Sequence, residues 1–150
     1  MINTKLTYLP ITKDTIEEYS KPIAALCSQP ANPECNKTKF LLFNNKMEFE
    51  HYMKLMGFDE NITNTVWKAK QFSTGSQSDI ITISTVSNMY SLGNLPVENI
   101  AIYNPNIYTL SKIYTMFKYD IFVKNIFVVS DLTLLAKECE RYNNEVDEEK

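Results

Sequence analysis

Lys39-Phe-Leu-Leu-Phe-Asn-Asn-Lys-Met-Glu-Phe-Glu-His-Tyr-Met-Lys-Leu-Met-Gly57 is the stretch on which the fold turns. Phe40 to Phe43 run apolar without alternation, which marks a strand covered on both faces rather than wetted on one. The period then changes. After Asn44-Asn45, residues Phe49, Tyr52, Met53 and Met56 recur at three- and four-residue spacing, which predicts a helix to about Met56 that Gly57 stops. A methionine and aromatic stripe at that spacing is core, not a cofactor box. A buried strand feeding an amphipathic helix is the unit from which parallel α/β sheets are built.

The rest of the chain repeats that unit. Asp79-Ile-Ile-Thr-Ile-Ser84, Asn99 to Tyr103 and Ile126 to Val129 read as further strands, and Lys5 to Leu9 as a short extended entry ended by Pro10. Leu110, Ile113, Tyr114 and Phe117 form a second helical stripe. Asp131 is expected to cap a last helix carrying Leu132, Leu135 and Cys139. A helix from about 14 to 28, disturbed by Pro22, is expected before the Pro30–Pro33 loop. Residues 61–72 carry Trp67 and Phe72 without a settled period. The expected class is α/β, a parallel sheet of about four to five strands with helices on both faces. Ligands of such sheets bind beyond the carboxyl ends of the strands. That edge would carry Asn44 and Asn45, Thr85 to Ser87, Asn104 to Asn106, and Ser130 with Asp131.

Composition narrows the function classes. One hundred and fifty residues, 44% hydrophobic and 22% charged, suit one domain and exclude a disordered chain. Six acids and two bases fall in residues 138–150, so a body of residues 1–137 at +1 is expected to carry an acidic C-terminal tail over 138–150. A near-neutral body lacks the basic footprint of a strong nucleic-acid binder. Fourteen lysines stand against one arginine, Arg141, which removes any mechanism that needs an arginine cluster. The excess of Asn, Ile, Lys and Tyr has AT-rich codons and points to a large DNA virus, a phage or an AT-rich microbe. Three irregularly spaced cysteines (Cys27, Cys35 and Cys139) and one histidine, His51, build neither a disulfide framework nor a metal site. Reduced thiols, the lack of an apolar leader and the lack of a membrane-length apolar run imply an intracellular protein.

Motifs that carry chemistry are absent from the sequence. Glycines at 57, 75 and 93 form no phosphate-binding loop, and there is no nucleophile elbow. Glu17-Glu18, Glu48 with Glu50, and Asp59-Glu60 lie in exposed-looking or helix-terminal stretches. His51 reads as a helix-surface residue. No catalytic residue, metal or cofactor is expected. Tyr103, Tyr108, Tyr114, Phe117 and Tyr119 interleave with Lys112 and Lys118, a pattern that stacked bases use. The alternative is that Tyr114 and Phe117 are core and the others amphipathic surface.

The order of these segments resembles the C-terminal, RecA-like lobe of superfamily 2 helicases. Lys39 to Asn45 with the helix through Glu48 and Met56 looks like that family's motif IV. Asp79 to Thr85, Ser91-Leu-Gly-Asn-Leu-Pro96 and Val97 to Tyr103 before Asn104-Pro105 are similar to motif V and the strand after it. The likeness spans residues 14–137 approximately. By that resemblance Asn44, Asn45, Thr85 and Asn94 would contact the backbone of a nucleic acid. The loop from Thr85 to Pro96 departs from the pattern, since Ser91 falls where the family has glycine. The two arginines of motif VI are absent from Tyr108 to Lys118, and the partner lobe with its phosphate loop is missing. Without donors for the developing charge, phosphoryl transfer has nothing to run on. The resemblance therefore implies a non-catalytic interaction module with a protein partner, in viral or phage transcription or replication. A nucleic-acid-binding subunit using the motif IV/V edge is the first alternative and a small enzyme on an unrecognised α/β scaffold the second.

Overall fold

The computed structural model describes residues 4–11, 39–73, 80–88, 97–120 and 122–149. The helix expected over 14–28, the loop at 30–33, Cys27, Cys35, Gly75 and the 91–96 part of the motif V resemblance, including Asn94, lie outside the described residues.

Six strands, β1 (Lys5–Pro10), β2 (Phe40–Phe43), β3 (Gln71–Ser73), β4 (Ile80–Thr85), β5 (Asn99–Tyr103) and β6 (Asn125–Ser130), form one sheet in the order β1-β6-β5-β2-β4-β3. Five are parallel, and β3 alone runs antiparallel, against β4. The sheet thus exceeds the expected four to five strands by the antiparallel edge, and β1 is a full member rather than an entry strand.

Among the described residues four helices cover it: α1 (Lys46–Leu55), α2 (Glu60–Ala69), α3 (Ile107–Phe117) and α4 (Thr133–Glu149). Strand alternation sorts the side chains to two faces. Leu6, Phe40, Leu42, Ile100, Ile102, Ile126 and Val128 pack with Leu110, Ile113, Tyr114 and Phe117 of α3 and Leu135, Cys139 and Tyr142 of α4. Leu41, Phe43, Ile81, Ile83, Ala101 and Tyr103 pack with Phe49, Tyr52 and Met53 of α1, and Val66 and Trp67 of α2 lean on that cluster. All four β2 residues are buried, as a strand with both faces covered requires.

The crossover from β2 to β4 runs over the α1/α2 face, and that from β5 to β6 over the α3/α4 face. They step in opposite directions on opposite faces and so share one hand. The reversal falls between β2 and β5, which makes the crevice beyond their carboxyl ends the switch point of the sheet.

The acidic stretch does not begin a separate element. Helix α4 is continuous across residue 138, the expected domain boundary, and its own Cys139 and Tyr142 are buried against the sheet. Asn143 clamps the sheet edge: its Oδ1 accepts the Leu6 N–H at 2.9 Å and its Nδ2 donates to the Leu6 carbonyl at 2.8 Å. Leu132, expected inside this helix, precedes it and is half exposed.

Candidate functional site

The strand-end crevice is built by the residues that leave the sheet. Asn45 caps α1, its side chain accepting the Glu48 N–H at 3.0 Å. Asn106 caps α3 in the same way, accepting from Thr109 at 2.7 Å. Asparagine serves both places because its short side chain reaches the first-turn amides while the backbone stays extended. Between the caps, Asn44 donates through Nδ2 to the Asn104 carbonyl at 3.1 Å, joining the ends of β2 and β5. Asn104 itself stands in the left-handed region, φ 51°, where asparagine is tolerated better than most residues. Its Oδ1 accepts from Ser130 Oγ at 2.8 Å, and Ser130 Oγ in turn accepts the Leu132 N–H at 3.0 Å. Ser130, rather than the exposed Asp131, thus supports the entry to α4.

The resemblance-derived residues divide accordingly. Asn44, Asn45 and Thr85 come to one edge, at the ends of the adjacent strands β2 and β4, with Thr85 Oγ1 3.0 Å from Ser87 Oγ. Asn44 Oδ1 is buried and has no partner among the described residues. The floor of the crevice is amide and hydroxyl, a surface that orients a ligand through neutral hydrogen bonds.

Around that floor runs an apolar rim. Seven large hydrophobic side chains are strongly exposed among the described residues, and five of them (Met47, Ile107, Tyr108, Leu132 and Leu134) stand on or beside the first turns of the three helices that leave this edge. That concentration was invisible in the sequence, because the five come from segments that only the topology brings together.

On the α1 side of the edge, the Lys70 ammonium sits 3.0 Å over the Trp67 ring, and Trp67 packs on Phe49 at 5.1 Å. Burial, and then the charge of Lys46, push the Lys70 ammonium below its ordinary value.

The aromatic stripe splits differently from expectation. Tyr114 and Phe117 are core and Tyr108 and Tyr119 are exposed, but Tyr103 is buried. Its hydroxyl lies 2.8 Å from His51 Nδ1, so the histidine tethers α1 to β5. A cavity of about 340 Å³ opens on α3 between Tyr108, Ser111, Lys112, Thr115 and Met116, running from the rim residue Tyr108 along the helix. Burial holds the Cys139 thiol up at about 12, far from a reactive thiolate. Among the described residues no helix is long and apolar enough to cross a membrane, and no three of His, Cys, Asp or Glu gather as metal ligands.

Compared with known proteins, the chain matches no family model, no curated protein and no solved structure.

Proposed function

We propose that this chain is a non-catalytic, helicase-lobe-like module that docks a protein partner through its strand-end edge. In this reading it is an intracellular accessory factor of transcription or replication in a virus, a phage or another AT-rich genome. The apolar rim of Met47, Ile107, Tyr108, Leu132 and Leu134 around a neutral amide floor carries the proposal. Exposed bulky side chains gathered at one place, on a protein with a packed core on both faces of its sheet, are the mark of an interaction surface. The RecA-like part of the reading is supported by strand order. The motif IV-like strand β2 lies hydrogen-bonded between β4, which carries the motif V likeness, and β5, which resembles the strand after it.

The test is capture from nuclease-treated lysate of the source cells with the full chain and with a Tyr108→Asp/Leu134→Asp chain. Both positions are exposed, so the fold tolerates the charges. The expected result is a protein held by the natural chain and released by the double variant. Equal capture by both, or recovery of nucleic acid alone before nuclease, overturns the reading. Removing residues 138–150 is not a usable variant, because it takes Cys139, Tyr142 and Asn143 from the fold.

A further inference from the structure

We propose that the strand-end edge takes an acidic segment of its protein partner, with carboxylates meeting Lys46 and Lys70 and a bulky apolar residue seated beside Met47 and Trp67. The inference rests on the docking role proposed above and names the chemistry of the occupant.

Each lysine stands where one feature of the fold works against it. Lys46 opens α1, where the helix dipole disfavours a cation. Lys70 is the C-cap of α2 at φ 55°, a left-handed conformation that suits Gly or Asn better than a long side chain. Neither makes an ion pair with a carboxylate among the described residues. Burial lowers the Lys70 ammonium below its ordinary value, and repulsion by the like charge of Lys46 lowers it further. An incoming carboxylate relieves that repulsion.

Geometry makes the cluster a docking platform rather than two loose side chains. The Lys70 carbonyl accepts the Ile83 N–H at 2.9 Å, which pins the cap to β4 two residues from its end. Trp67 fixes the ammonium from below and is itself fixed by Phe49. Beside them Met47, 76% exposed at the second position of α1, offers the flexible thioether that adaptable binding surfaces use. A nucleic acid fits this edge less well. Its phosphates call for more cations than two and for arginine forks, and a rim of Met, Ile, Tyr and Leu gives them nothing.

A phage-displayed library of random 12-residue peptides, panned against the immobilised full chain, tests the proposal. A Lys46→Glu/Lys70→Glu chain serves as counter-target and Lys54→Glu, at the opposite end of α1, as control. Trp67 is the chain's one tryptophan, so its emission reports directly on synthetic copies of the selected peptides. Expected are sequences with Asp or Glu beside Leu, Phe or Trp, a change in Trp67 emission on binding, and at least tenfold weaker binding to the double charge variant but not to Lys54→Glu. Peptides without acidic residues, no selection above the counter-target, or unchanged affinity for the charge variant overturns the proposal, as does tighter binding of a 20-nucleotide oligothymidylate. If the Tyr108→Asp/Leu134→Asp chain releases the cellular partner while the charge variant keeps it, the docking edge stands and only the acidic occupant falls.

Discussion

Replacing Asn143 by alanine opens the outer edge of β1. The Asn143 amide stands in for a neighbouring strand there, taking the N–H and the carbonyl of Leu6 at 2.9 and 2.8 Å. Pro10, at the far end of the same strand, has no N–H to offer. Each part-buried hydrogen bond is worth about 0.5–1.5 kcal/mol net, so the loss of two costs about 1–3 kcal/mol. At about 3 °C per kcal/mol for a chain of this length, a loss near the middle of that range lowers the midpoint by about 6 °C. Unpaired edge groups also invite a second chain, so the fall should grow more irreversible with concentration. Thermal melts followed by circular dichroism at two concentrations measure both effects, with exposed Asn144→Ala as control. An Asn143→Ala melt within 1 °C of the natural protein, or indistinguishable from Asn144→Ala, refutes the clamp.

Truncation before Glu138 removes most of α4, with its core residues Cys139 and Tyr142 as well as the clamp, and should abolish the cooperative melt; a sharp transition near the natural midpoint would show that 138–150 is a dispensable tail. Asn104→Ala should cost about 2 kcal/mol in denaturant titrations, about half from the left-handed backbone and half from the lost Ser130 bond, while Asn104→Gly should cost only the bond. The Cys139 thiol, raised to about 12 when folded, keeps its proton in the folded chain after the unfolded chain has lost it. Its contribution is therefore full below the unfolded value of about 9 and is lost as pH climbs from there toward 12. In a Cys27→Ser/Cys35→Ser chain at pH 8, a disulfide reagent should label Cys139 only as fast as the protein unfolds; labelling at the rate of a free thiol contradicts this burial.

The β2–α1 unit was legible because two periods met at Asn44-Asn45 with no competing signal, and the structure adds that Asn45 caps the helix. Helix α2 was not, since only Thr63 of its ten residues is buried and its apolar positions are spaced among Asn and Thr. The usable sign was Asp59, whose Oδ1 accepts the Ile62 N–H at 2.8 Å. Strand β3 is three residues long and owes its existence to pairing with β4, which no local pattern announces. Charge hid the last turns of α4: six acids in thirteen residues read as solvent-facing, while Cys139, Tyr142 and Asn143, at helical spacing, meet the sheet. The crevice was partly legible. Asn44, Asn45, Thr85, Asn104 and Ser130 follow from asking what ends each strand, but the Asn44–Asn104 bond across sixty positions and the Lys46–Lys70 neighbourhood depend on strand order.

Hydrogen–deuterium exchange on the captured complex tests the docking edge most directly. Partner binding is expected to protect residues 44–48, 104–109 and 130–135 and to leave 57–61 and the last turns of α4 exchanging as in the free chain. Protection confined to the acidic end of α4 or to the outer face of α3, with the strand ends unchanged, would contradict it.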